Sequence, residues 1–226
     1  MEGESRGEVG GRKSEMTRQR LLIAAHHRFR AHGYVATTAS AIAEDAGVTE
    51  RTFFRYFPTK SDALVDDWRA GRKLLKDVLA TSDAPELLEV ARAAMREFSG
   101  HLRTSIEAGR DSVLRVLNER EAASAVLEVL LAVEHDLTKE LARRAGRSSE
   151  DFEVRLAAYA TVGVFRAALR AVVALGMASY ITALVNDGMD RLRPLYAGLD
   201  RVPSRPVDGP DTPWRSVPAP GRIDSY

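Results

Sequence analysis

Arg51 and Arg55 stand four positions apart with Glu50 and Phe54 beside them, inside the run TTASAIAEDAGVTERTFFRYFPTK from Thr37 to Lys60. In that run a helix over Ala39–Ala46 is followed by Gly47–Val48 and then a second helix over Glu50–Phe57. Gly47 tolerates the left-handed backbone that a sharp helix-helix turn needs. Ile42, Ala43, Ala46, Val48, Phe53 and Phe57 fall where the two helices pack together, which turns Glu50, Arg51, Phe54 and Arg55 outward. A short helix with a polar, cationic outer face is what a DNA major groove accepts. On geometry alone, an ordinary αα-hairpin of a helical bundle fits the segment as well.

Other chemistries find little support. His26, His27, His32, His101 and His135 form no recognisable metal or triad spacing, and adjacent His26 and His27 point about 100° apart on a helix. There is no glycine-rich phosphate loop. The absence of cysteine removes disulfides, thiolate catalysis and Cys-ligated zinc. The expectation is a protein that is not an enzyme and holds no cofactor and no metal.

The elements that position the Arg51 face are all helical. Thr17 caps a first helix with the stripe Leu22, Ala25 and Phe29, which stops at Gly33. Thr38, Thr49 and Thr59 cap the next three, the last running from Lys60 towards Ala80. Further helices are expected over Pro85–Thr104, Asp111–Asn118, Ala122–Ala145, Ser149–Leu175 and Ser179–Leu199, with breaks at Gly109, Gly146 and Gly176. Pro194 should kink or end the last one. The fold class is all-α. The chain divides into a disordered arm over 1–15, a DNA-binding unit over 16–60, a helical body over 61–200 and a tail over 201–226. That tail carries six of the nine prolines, along with Trp214.

Charge is distributed to match. Between Arg12 and Lys60 nine basic residues face four acidic ones, in a chain whose net charge is only +1. An anion-facing head on a neutral or acidic body is one reading, and a solvated charged surface is the other. The most apolar stretch, Tyr159–Gly176, is interrupted by Arg166 and Arg170, and the first 15 residues have no apolar core for a secretory signal. A cytoplasmic protein without a membrane segment is expected.

The stretch from Arg18 to about Leu64 resembles the DNA-binding domain of the tetracycline-repressor (TetR) family. The match runs through Leu21-Leu22-x-Ala24-Ala25-x-x-x-Phe29-x-x-x-Gly33-Tyr34, then Thr37-Thr38-x-x-x-Ile42-Ala43-x-x-Ala46-Gly47-Val48, then Thr52-Phe53-Phe54-x-Tyr56-Phe57-x-x-Lys60. The resemblance implies a three-helix helix-turn-helix head on a helical ligand-binding and dimerisation domain. It assigns Thr38, Thr52, Tyr56 and Lys60 to DNA phosphates, and base reading to Glu50, Arg51, Phe54 and Arg55. Arginine on guanine discriminates by about 1–3 kcal/mol, and Glu50 can accept from cytosine N4 or simply favour the helix dipole. Three positions depart from the family pattern. Ala39 leaves the second helix little with which to read, Phe54 lacks a tyrosine's hydroxyl, and Arg28 stands at a usual leucine, where it can snorkel towards a phosphate.

The resemblance further implies a homodimer on a palindromic operator, released by a small-molecule effector. The dimer is expected through 149–175 and 179–199, because the first of these is dense in alanine and glycine; a central core helix is the alternative. Candidate pocket residues are Arg103, Asn118, Tyr159 and Arg166, with His101 and His135 as further polar liners. More distantly, this half resembles actinobacterial members of the family whose effectors include acyl-CoA-like molecules. A DNA-binding regulator without any effector is the alternative function.

Overall fold

A computed structural model describes residues 3–107 and 119–199. Gly109, the helix expected over 111–118 with Asn118, and the tail over 201–226 lie outside the described residues. Ten α-helices are described: α1 Gly3–His32, α2 Ala39–Asp45, α3 Glu50–Tyr56, α4 Lys60–Leu64, α5 Asp66–Thr81, α6 Leu87–Glu107, α7 Arg120–Ala145, α8 Phe152–Leu175, α9 Ile181–Arg191 and α10 Arg193–Leu199. A 3-10 turn over Ala178–Tyr180 precedes α9, and no strand occurs among the described residues.

Two boundaries differ from expectation. The arm is helical from Gly3, and Thr17 lies inside α1 instead of capping it, its hydroxyl donating to the Lys13 carbonyl at 2.9 Å. Local polar pairs support this exposed section where burial does not: Gln19 donates to Glu15 at 2.8 Å, and Arg18 reaches the same carboxylate. The expected fourth helix is two helices. Val65 leaves the helical region at φ −97°, ψ 12°, and Asp66 and Asp67 supply acids to the first turn of α5. Pro194 does interrupt the last helix, separating α9 from α10.

The body is organised around α8. Val154, Ala157, Ala158, Thr161, Val162, Phe165, Ala168, Leu169 and Val172 form its buried face. Trp68 of α5, Phe98 of α6 and Phe165 of α8 meet edge-on and tilted, with ring centroids 5.0–6.2 Å apart. Tyr196 of α10 is buried against the same helix and shares a 2.6 Å hydrogen bond with the Thr161 hydroxyl; burial pushes its phenol well above the ordinary range. By length and composition α8 is apolar enough to cross a bilayer, and here its inner face is this aromatic and aliphatic core.

Phe165 is fully enclosed, so its loss leaves a cavity that helices on three sides cannot close. Phe165→Ala should lower the unfolding free energy by about 3–5 kcal/mol, read from urea denaturation followed by circular dichroism.

Candidate nucleic-acid interface

A seven-residue helix does not stand alone in water, so α3 takes its shape from caps and from what it buries. Thr38 caps α2, its hydroxyl accepting from the Ala41 amide at 3.1 Å, and Thr49 caps α3 through the Thr52 amide at 3.2 Å. Between them Gly47 adopts φ +63°, and the Gly47 and Val48 amides close the turn on the Glu44 and Ala43 carbonyls at 2.9 Å. Of the residues expected to pack the two helices, Ile42, Ala43, Ala46, Phe53 and Phe57 are buried and Val48 is partly buried, in a core that also holds Leu21, Ala25 and Phe29 of α1.

Burial of Phe53 and Phe57 turns the rest of α3 outward. Glu50, Arg51 and Arg55 are exposed, and Phe54 is 46% exposed, standing edge-on to Phe53 at 5.4 Å. Arg51 and Glu50 have no ion-pair partner among the described residues, while Arg55 lies over the Tyr56 ring at 5.1 Å. Thr38 is exposed at the start of α2; Thr52 is half-buried and shares a 3.0 Å hydrogen bond with the Thr49 hydroxyl. The Tyr56 hydroxyl meets Ser14 of α1 at 3.1 Å, a bond that lowers its pKa from the ordinary phenol range. Both Thr38 and Thr52 keep hydrogen-bonding capacity beyond these contacts.

Two cations named from the sequence have partners within the fold. Arg28 reaches the surface, where it grips Asp45 with two hydrogen bonds of 2.5 and 2.6 Å and so ties α1 to the end of α2. That pair holds the Asp45 carboxyl below its ordinary value, and hydrogen bonding to Arg28 is the leading cause. Lys60 folds back over the Tyr34 ring at 4.0 Å, and its ammonium donates to the Tyr34 and Thr37 carbonyls at 2.7 and 2.9 Å. Burial lowers the Lys60 pKa, with Glu121 and Glu119 opposing.

Sequence reading missed other ties of the same kind. Arg20 donates to the Ala46 carbonyl beside Gly47, and Arg18 pairs with Asp66 at the start of α5 while lying over Phe57. Their partners are 26 and 48 positions away, beyond any periodic pattern.

In the body, α7 and α8 border a cleft of about 410 Å³. Val126, Leu127, Leu130, Leu169 and Val173 make its walls apolar, and Arg166 and Arg170 bring two guanidiniums to it. Of the candidate liners Arg166 is there. Arg103 instead pairs with Glu107 at 3.1 Å on α6, and Tyr159 is half exposed on α8. His101 is largely enclosed on α6, and His135 is exposed.

A three-helix head that displays a short cationic helix, carried on a helical body, defines a helix-turn-helix transcriptional regulator. The sequence agrees. Residues 21–66 match the family described as bacterial regulatory proteins, tetR family, and residues 85–197 match the MftR C-terminal domain. The chain is 31% identical over 165 residues to the HTH-type transcriptional regulator TcmR of Streptomyces glaucescens, covering 71% of this chain and 73% of that protein. It is 26% identical over 155 residues to the protein named as mycofactocin biosynthesis transcriptional regulator MftR of Mycobacterium tuberculosis, covering 68% and 78%. The fold is similar to that of Thermus thermophilus FadR, a TetR-family repressor solved with lauroyl-CoA, with a TM-score of 0.52 and 23% identity over 85% of this chain and 99% of that one. This chain belongs to the tetR family of transcriptional regulators.

The turn between α2 and α3 can be tested through its glycine. A Cβ on Gly47 would lie 2.8 Å from the Arg20 guanidinium, and the left-handed backbone adds its own strain. Gly47→Ala should destabilise the protein by about 1–2 kcal/mol, and the loss should persist in an Arg20→Ala background, because the backbone term remains. Paired thermal melts measure both effects.

Proposed function

We propose that this chain is a repressor that holds a palindromic operator as a homodimer and lets go when an anionic, long-chain effector of the acyl-CoA type binds its body. The observation that carries the DNA half is the α3 face, where Arg51 and Arg55 have no carboxylate partner among the described residues while neighbouring Arg18 and Arg28 do. On this reading Arg51 and Arg55 read guanine, Phe54 meets thymine methyl groups and Glu50 accepts from cytosine. Thr38, Thr52 and Tyr56 donate to phosphates, which fixes register without reading sequence.

Exposed apolar side chains support the dimer through 149–175 and 179–199. Phe152, Leu156 and Tyr159 on α8 and Leu184 on α9 are all exposed, with Gly163 on the same side of α8. A second copy covering them would place two α3 helices in successive major grooves, about 34 Å apart. Tyr159 then belongs to that contact and not to a pocket.

For the effector, the α7–α8 cleft offers an apolar bed for a chain and Arg166 and Arg170 for an anionic group. The lauroyl-CoA bound to the Thermus relative is of this chemical kind. Release follows only if the effector favours one arrangement of the helices over the other. The protein would act in the cytoplasm, where operator and acyl-CoA meet.

Binding-site selection from random DNA should enrich a palindrome; no enrichment sinks the reading. Arg51→Ala and Arg55→Ala should each lose about 1–3 kcal/mol of discrimination at one base position of each half-site. With the selected operator, lauroyl-CoA should lower fluorescence anisotropy, and Arg166→Ala with Arg170→Ala should raise the concentration required about tenfold or more. Firm DNA binding with no response to acyl-CoA of any chain length would leave the regulator without this effector.

A further inference from the structure

Helix α7 lies between two clefts. Ala123, Val126, Leu127 and Leu130 line the apolar cleft shared with α8. Over the same turns but from another side of the helix, Arg120, Glu121 and Ser124 face Tyr34, Lys60 and Asp62 across a second cleft of about 590 Å³, between the body and the DNA-binding head. Helix α7 thus contributes side chains to both clefts.

What it meets there is a clamped loop. The segment from Gly33 to Thr37 links α1 to α2 and ends beside Thr38, the cap of α2. It is held from within by the Thr37 hydroxyl on the Gly33 carbonyl at 2.7 Å and the Thr37 amide on the Tyr34 carbonyl at 3.3 Å. From outside it is held by Lys60, whose ammonium donates to the Tyr34 and Thr37 carbonyls and lies over the Tyr34 ring. An ammonium has three N–H donors, so two of the three are committed to this loop. Burial disfavours the charged form of Lys60, while the carboxylates of Glu121 on α7 and of Glu119, the residue before α7, favour it, and Glu121 also acts on the Tyr34 hydroxyl.

We propose that Lys60 is a positioning residue for DNA binding, clamping the Gly33–Thr37 loop so that Thr38 is presented to phosphate, and that Glu121 of α7 sets this clamp. The part that concerns effector release rests on the reading of the α7–α8 cleft given above; the clamp itself does not. The rival role for Lys60 is a direct phosphate contact, and the two differ in what they do to salt dependence. A phosphate contact contributes about 0.9 to the slope of log affinity against log salt, whereas a positioning residue changes affinity and leaves the slope nearly intact.

The test uses the full chain and the operator found by selection. In the free protein, Lys60→Met should speed amide hydrogen exchange in peptides spanning Tyr34–Ala41 severalfold. Operator affinity should fall about tenfold, the size of one charge-assisted hydrogen bond, with the salt slope unchanged. Lys60→Arg, which keeps the donors, should restore most of both. Glu121→Gln, an exposed substitution that leaves the core alone, should move both readouts the same way by less, and should add nothing in a Lys60→Met background. Two results would overturn the proposal: exchange unchanged with the slope reduced by about 0.9, or Glu121→Gln acting equally in both backgrounds. The exchange measurement needs neither DNA nor effector, so failure of the clamp is distinguishable from failure of the repressor reading.

Discussion

Everything the outer face of α3 does depends on burying Phe53 and Phe57. A helix of two turns has too few internal hydrogen bonds to hold itself together, and its orientation is whatever its apolar side chains find. Here they join a core that includes Ile42 and Ala43 of α2 and Ala46 at its end, and the ring of Phe57 also carries the Arg18 guanidinium. Rotating α3 would expose both rings, so Arg51, Phe54 and Arg55 point outward because no alternative buries as much. The recognition face is fixed by its back.

The same head shows that cationic residues near a DNA-binding helix are not interchangeable. Arg18, Arg20, Arg28 and Lys60 are drawn inward to carboxylates or to backbone carbonyls at loop and helix ends. Such carbonyls lack intrahelical partners and attract donors from neighbouring elements. The basic excess of this segment thus includes residues that hold the head together and others that face the solvent. Charge counting alone does not separate the two groups.

The body follows a looser rule. Its centre is filled by Trp68, Phe98 and Phe165, and the cleft lies to one side, between α7 and α8. Both walls of that cleft are anchored by buried faces, and α7 is further tied to α5 through the Arg72–Asp136 pair. A helix that borders both the cleft and the head is suited to carry a displacement from one to the other.

Much of this was legible from residue order. The all-α class, the caps at Thr38, Thr49 and Thr59, the turn at Gly47, the buried set around Phe53 and the outward Arg51 face all follow from interactions within about four positions, which periodicity reports directly. What the sequence alone did not reach were matters of distance. It named no partner within the fold for Arg28 or Lys60, began α1 at Thr17 and drew a single fourth helix, because the groups that decide these points lie elsewhere or are spread along an exposed helix. Asp45 is 17 positions from Arg28, and the carbonyls that hold Lys60 are 23 and 26 positions away. The α7–α8 cleft depends on two helices whose facing sides are set by packing, so its arginines became a pair only in three dimensions. Local amphipathicity was enough to turn Glu50, Arg51, Phe54 and Arg55 outward. Tertiary structure decided which cations hold that face in place, because only folding brings a distant carboxylate or carbonyl within hydrogen-bonding reach.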